Sequence, residues 1–261
     1  MDILKSPDPT VTFFAESKEE ATAWAESRGI SEKEARGRFF LDGFVNEQGI
    51  NALKAMRGRV AMALNFNEVQ AKGALIECLK GLQSNGIEID AWVNFSPEHY
   101  WLHAGNIDFG IKELEATVNA LEQANINIKN LGLDLEFQAS IMVGQTSLTS
   151  QLKEYYRVAP WKFDRPAARE KLTSYIDNIL NAQKYGVHTY EIPIGSDYEF
   201  LRKIGGLIEA PDDINDIPNP RYKRIAMVYS SVRPPLISAK TFIRKYAQQK
   251  RRIPGLGIIT G

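Results

Sequence analysis

The chain has 261 residues, 44% of them hydrophobic and 25% charged, a balance that excludes a disordered, collagen-like or disulfide-stapled chain. Its 32 Lys and Arg offset 32 Asp and Glu, so it builds no basic field of the kind that nucleic acid or an anionic membrane selects. No run approaches the roughly 20 apolar residues needed to span a bilayer, and the start Met1-Asp2-Ile3-Leu4-Lys5 lacks the basic-then-apolar pattern of a signal peptide.

In chain order, short β-branched and aromatic runs bounded by turn residues predict eight strands. The first covers 10–15, and the acidic stretch from Glu16 to Glu20 after it predicts a helix start. The runs at 38–44 and 59–66 predict the second and third strands. Ala71, Leu75, Cys78, Leu79 and Leu82 then fall on one helical face, and Ser84-Asn85-Gly86 stops that helix ahead of a fourth strand at 88–95. Ile111, Leu114, Val118 and Leu121 mark the next helix, before a fifth strand at 131–136. An irregular insertion at 138–165 follows, then a helix on Leu172, Tyr175, Ile176, Ile179 and Leu180. Lys184-Tyr185-Gly186 stops it before a sixth strand at 188–194. The acidic, proline-rich 209–220 reads as a surface loop, and strands at 224–230 and 255–260 complete the set.

Strand–helix alternation implies parallel strands joined by crossover helices. Eight repeats in this length predict an α/β fold, a single (β/α)8 TIM-barrel-like domain over 1–261. The eighth helix is missing, because the chain stops at Gly261 directly after the last expected strand. An open doubly wound sheet is the alternative, but no glycine-rich phosphate turn follows the first strand. Cys78 is the sole cysteine. It lies on an apolar helical stripe and is expected to be packed rather than reactive, in a reducing, cytoplasmic setting.

Barrel enzymes keep their chemistry at the C-terminal ends of the strands. Here those ends carry Asn65, Asn94, Asp134, Glu136, Glu191 and Tyr229, with Arg233 beyond. Period-two alternation puts Asp134 and Glu136 on one face. A carboxylate under the helices would be a costly buried charge, so both are expected at the mouth, with Glu191. Paired carboxylates push their pKa values apart, which is the division of labour that glycoside hydrolysis uses. The expected activity is therefore that of a glycoside hydrolase, with Glu136 as proton donor and Asp134 or Glu191 as nucleophile or base. The run from Gly132 to Glu136 resembles a fragment of the acidic strand motif of the chitinase-like family 18 glycosidases. Gln138 stands where that motif has its catalytic Glu and the first Asp is absent, so membership does not follow.

Glu98, His99, Tyr100, Trp101 and His103 beside Asn94 form an aromatic, polar loop suited to a sugar. Trp92 and Asn106 lie nearby, Trp92 as a core residue. The partner expected is a small molecule or oligosaccharide, with neither nucleic acid nor membrane, and no cofactor or metal. Two alternatives stand beside this reading: a metal-dependent sugar isomerase or lyase on the same carboxylates, and a barrel that binds a ligand or protein without turnover.

Overall fold

Strand β1 (Val11–Ala15) leads into α1 (Glu19–Glu26), α2 (Glu32–Phe44) and α3 (Glu47–Ala55) before the chain returns as β2 (Gly58–Leu64). The short α4 (Phe66–Gln70) and α5 (Ala74–Ser84) carry it to β3 (Glu88–Val93). Helix α6 (Ile107–Gln123) precedes β4 (Asn130–Asp134). Helix α7 (Arg165–Asn181), β5 (Gly186–Glu191), β6 (Tyr222–Tyr229) and β7 (Arg252–Gly257) follow. The structure is a computed structural model that describes residues 11–15, 19–95, 102, 105–134, 164–191, 217–229 and 252–257. Two compact units divide the chain, Met1–Val93 with Leu114–Asn130, and Asn94–Glu113 with Leu131–Gly261.

In the first unit β1, β2 and β3 pair in parallel, Val11 opposite Gly58 and Arg59 opposite Glu88. Every residue of β2 is buried, as a strand covered on both faces requires. Val60, Met62 and Leu64 alternate with Arg59, Ala61 and Ala63 along it. Helix α5 turns Leu75, Cys78, Leu79 and Leu82 inward. It ends at Asn85, and Gly86 takes the left-handed φ of 74° that favours glycine. From α6, Leu114, Val118 and Leu121 are buried as the stripe predicts.

In the second unit the strands run in the order β4-β5-β6-β7. Val187 pairs with Tyr222 and Arg224 with Arg252, both parallel. Helix α7 starts on Asp164, whose carboxylate accepts from the Ala167 N–H at 3.1 Å, and it buries Leu172, Ile176, Ile179 and Leu180. Its end differs from expectation: the left-handed residue is Gln183, at φ 54°, while Gly186 already begins β5.

The fold is therefore α/β, with parallel strands alternating with helices, and seven strands lie among the described residues. The expected strand at 38–44 is corrected: those residues form the last turns of α2. Their aromatic run suits a strand, but burial follows the helical period. Ala35 and Phe40 are buried, and Phe40 stacks on Phe44 one turn on, with ring centroids 5.8 Å apart. Gly37 brings the helix against the first turn of α5, so close that a Cβ there would lie 2.5 Å from the Leu75 nitrogen. The strand expected at 255–260 runs from Arg252 to Gly257 instead. The insertion at 138–165 lies outside the described residues except for Asp164 and Arg165. Among the described residues, no helix is long and apolar enough to cross a membrane.

Candidate functional site

The strand ends are where side chains from different elements meet. After β2, Asn65 caps α4. Its Oδ1 accepts from the Glu68 N–H at 3.0 Å, and its Nδ2 donates to Glu68 Oε2 at 2.6 Å. An amide there satisfies helix-end donors that would otherwise lack a partner. Arg36 of α2 grips the same carboxylate with both arms, Nε donating to Oε1 at 3.0 Å and Nη2 to Oε2. The bidentate fork fixes Glu68 in place. Asn65 is thus committed to a cap, and Glu68 to an ion pair. Beside them lies a cavity of about 350 Å³, lined in part by Glu34, Asn67, Glu68 and Gly73. Among the described residues, none of those expected to bind substrate lines it.

Asn94 directly follows β3 and is half-buried. Asp134 is the last residue of β4, Glu191 the last of β5 and Tyr229 the last of β6. Three of the expected site positions therefore close successive strands of the second unit. Glu136, Glu98, His99, Tyr100, Trp101, His103 and Arg233 lie outside the described residues. Asn106 is buried ahead of α6, and Trp92 is buried with its ring edge-on to Phe14, centroids 5.6 Å apart. Trp92 is core, as the sequence predicts. His188, near the start of β5, is buried with its ring edge-on to Tyr190. Cys78 is buried, and desolvation pushes its thiol up to about 12.

Several polar groups escape the sequence reading. Arg36, which holds the strand-end Glu68, is one. The others are Arg59, Asp90 and Asn130, all buried near the starts of β2, β3 and β4. Asp90 accepts from Asn130 Nδ2 at 2.6 Å and from Arg59 Nη1 at 3.3 Å. The spacing Asn65-x-x-Glu68 is a helix-start signal and could have located Glu68. The buried set leaves no local signal, because its members meet only once the strands are ordered.

No protein-family model matches the chain, and no curated protein matches it in sequence. Solved structures similar to it include a D-allulose 3-epimerase from Methylomonas sp., with TM-score 0.43 and 12% identity over 95% of this chain and 72% of that one. A putative lyase/mutase from Burkholderia cenocepacia J2315 gives TM-score 0.39 and 12% identity, over 97% of this chain and 78% of that one. Neither is a glycoside hydrolase. The expectation of glycosidic hydrolysis is corrected on this finding, together with the nucleophile and leaving-group roles it gave the carboxylates.

Proposed function

We propose that the chain is a sugar isomerase- or lyase-type barrel enzyme, which moves a proton on the carbon beside the carbonyl of a small polyhydroxy substrate. The observation that carries this reading is that two neighbouring strands end in carboxylic residues, β4 in Asp134 and β5 in Glu191. In parallel α/β folds, ligands bind at the carboxyl ends of the strands. Neighbouring strands lie about 4.8 Å apart. Two carboxylates brought close together shift one another, so that one can stay protonated while the other is ionised.

Enolisation needs that pair. The ionised carboxylate takes the C–H proton, and the protonated one donates to the carbonyl oxygen. Return of a proton to the other face gives an epimer, and return to the neighbouring carbon gives an isomer. Loss of a β-hydroxyl as water gives elimination. Asp134 and Glu191 form the acid–base pair, while Asn94 and Tyr229 hydrogen-bond substrate hydroxyls. Closure of the strands into a full eightfold barrel belongs to the same proposal.

The test is a panel of aldoses, ketoses and sugar acids, incubated with the full chain with and without added Mg²⁺ or Mn²⁺ and resolved by chromatography. Conversion of one substrate to its epimer, isomer or dehydrated product is expected, and its loss in both Asp134→Asn and Glu191→Gln. Conversion that survives both substitutions would overturn the assignment.

A further inference from the structure

In the second unit, the sheet face on which position 191 falls also holds a buried cation. Glu191 pairs with Ala226, Thr189 with Arg224, and Arg224 with Arg252, all in parallel register. Alternate residues of a strand share a face, and paired positions on neighbouring strands share it too. Positions 187, 189 and 191 of β5 therefore stand on one face with 222, 224, 226 and 228 of β6 and with 252, 254 and 256 of β7. Whichever face Glu191 takes, Arg224 takes it too. Arg224 is 5% exposed.

The basic residues among these positions are Arg224 and Arg252, and the acidic one is Glu191. Arg252 is level with Arg224, and like charges directly opposite on neighbouring strands repel. A carboxylate further along the same face offsets that repulsion. Tyr222 adds a hydroxyl to this face, 3.2 Å from Thr189 Oγ1, while His188, Tyr190 and Lys223 fall on the opposite one. Helix α7 packs on β5 and buries Leu172, Ile176, Ile179 and Leu180, none of them charged. From β4 the neighbouring strand end is Asp134.

Glu191 is level with Ala226, two residues beyond Arg224. With strands about 4.8 Å apart and a rise of about 3.3 Å per residue, the Cα atoms of Glu191 and Arg224 lie about 8 Å apart. Long side chains reach across such a diagonal. A cation held out of water is screened less than one at the surface, and a nearby cation favours the ionised form of a carboxylate. The two strand ends differ in this respect. On β4 the positions that share a face with Asp134 are Asn130 and Gly132, which carry no charge.

We propose that Arg224 is a positioning residue that holds Glu191 ionised, which makes Glu191 the base of the pair and Asp134 the proton donor. The division into base and donor rests on the proton-transfer reading above, whereas the ionisation of Glu191 does not.

The test is a pH titration of the full chain, isotope-labelled at its glutamate side-chain carboxyls and followed by carbon NMR. The Glu191 signal is the one that Glu191→Gln removes. Its midpoint is expected below the ordinary glutamate value of about 4.3, and Arg224→Met is expected to raise it by about one pH unit. A midpoint that Arg224→Met leaves in place would overturn the proposal. If Arg224→Met does not fold, the parent chain decides, and a midpoint at or above about 4.3 would overturn it as well. On turnover, the acid limb of the kcat profile is expected to move up by the same amount in Arg224→Met, with KM little changed. The titration needs no substrate, so the two failures are separable. A raised midpoint in a chain that converts no sugar would uphold the role of Arg224 and end the proton-transfer reading. Turnover with an unmoved midpoint would do the reverse.

Discussion

Cys78 shows what burial does to a single side chain. Desolvation pushes its thiol up to about 12 from an ordinary 9.0. The folded chain should therefore resist iodoacetamide at pH 8, and alkylation should track unfolding in urea. The same shift gives a stability prediction with a definite sign. Below pH 9 the thiol is protonated in both states and adds no pH dependence. Above pH 9 the unfolded chain loses the proton first, so stability falls as pH rises toward 12, by at most about 1.4 kcal/mol per pH unit. Cys78→Ala should remove that component of the alkaline slope; an unchanged slope would mean that the thiol ionises equally well in both states. Asn65 is a second case. Asn65→Ala removes the α4 cap and a donor to Glu68, and should cost about 1 kcal/mol in chemical denaturation. Trp92 and Cys78 were legible as core from their helical or strand spacing alone. Asp90 was not, because its partners Arg59 and Asn130 are 31 and 40 residues away in sequence, and no local pattern announces a pairing of that range.

At the scale of the element, periodicity located the amphipathic helices well. Most stripe residues on α5, α6 and α7 are buried, since a 3.6-residue repeat has one physical meaning in a packed domain, whereas Ala71 is exposed and Ile111 and Tyr175 are half-buried. Helix α2 was misread because Phe39, Phe40, Leu41 and Phe44 favour strands by side-chain type. The contrary signal was present: Ser31-x-x-Glu34 is the pattern of a capped helix start. Ser31 is the N-cap, and its carbonyl accepts from the Glu34 N–H at 2.9 Å. Packing of α2 against α5 depends on Gly37, since an added Cβ would meet the backbone nitrogen of Leu75. Gly37→Ala should therefore destabilise the chain by about 1–3 kcal/mol, despite the better helix propensity of alanine. A urea midpoint at or above the parent value would contradict that close approach.

For the whole molecule, strand–helix alternation made the α/β class legible, because parallel strands require crossovers and crossovers leave long periodic segments between short apolar runs. The strand count did not follow as cleanly, since one aromatic run belongs to a helix. The reaction was less legible still. The proposal gives the strand-end carboxylates proton chemistry, but hydrolysis, epimerisation and elimination all draw on such a pair, and residue types alone do not separate them. The central claim is that Asp134 and Glu191 exchange a proton with the carbon beside a sugar carbonyl. The measurement that tests it most directly is deuterium uptake from D2O into that carbon, followed by proton NMR on the substrate the panel selects. The account predicts loss of that proton signal with the parent chain, and no loss with Asp134→Asn or Glu191→Gln at equal folded concentration. Product formed with no solvent deuterium at that carbon, or uptake undiminished in both variants, would contradict it.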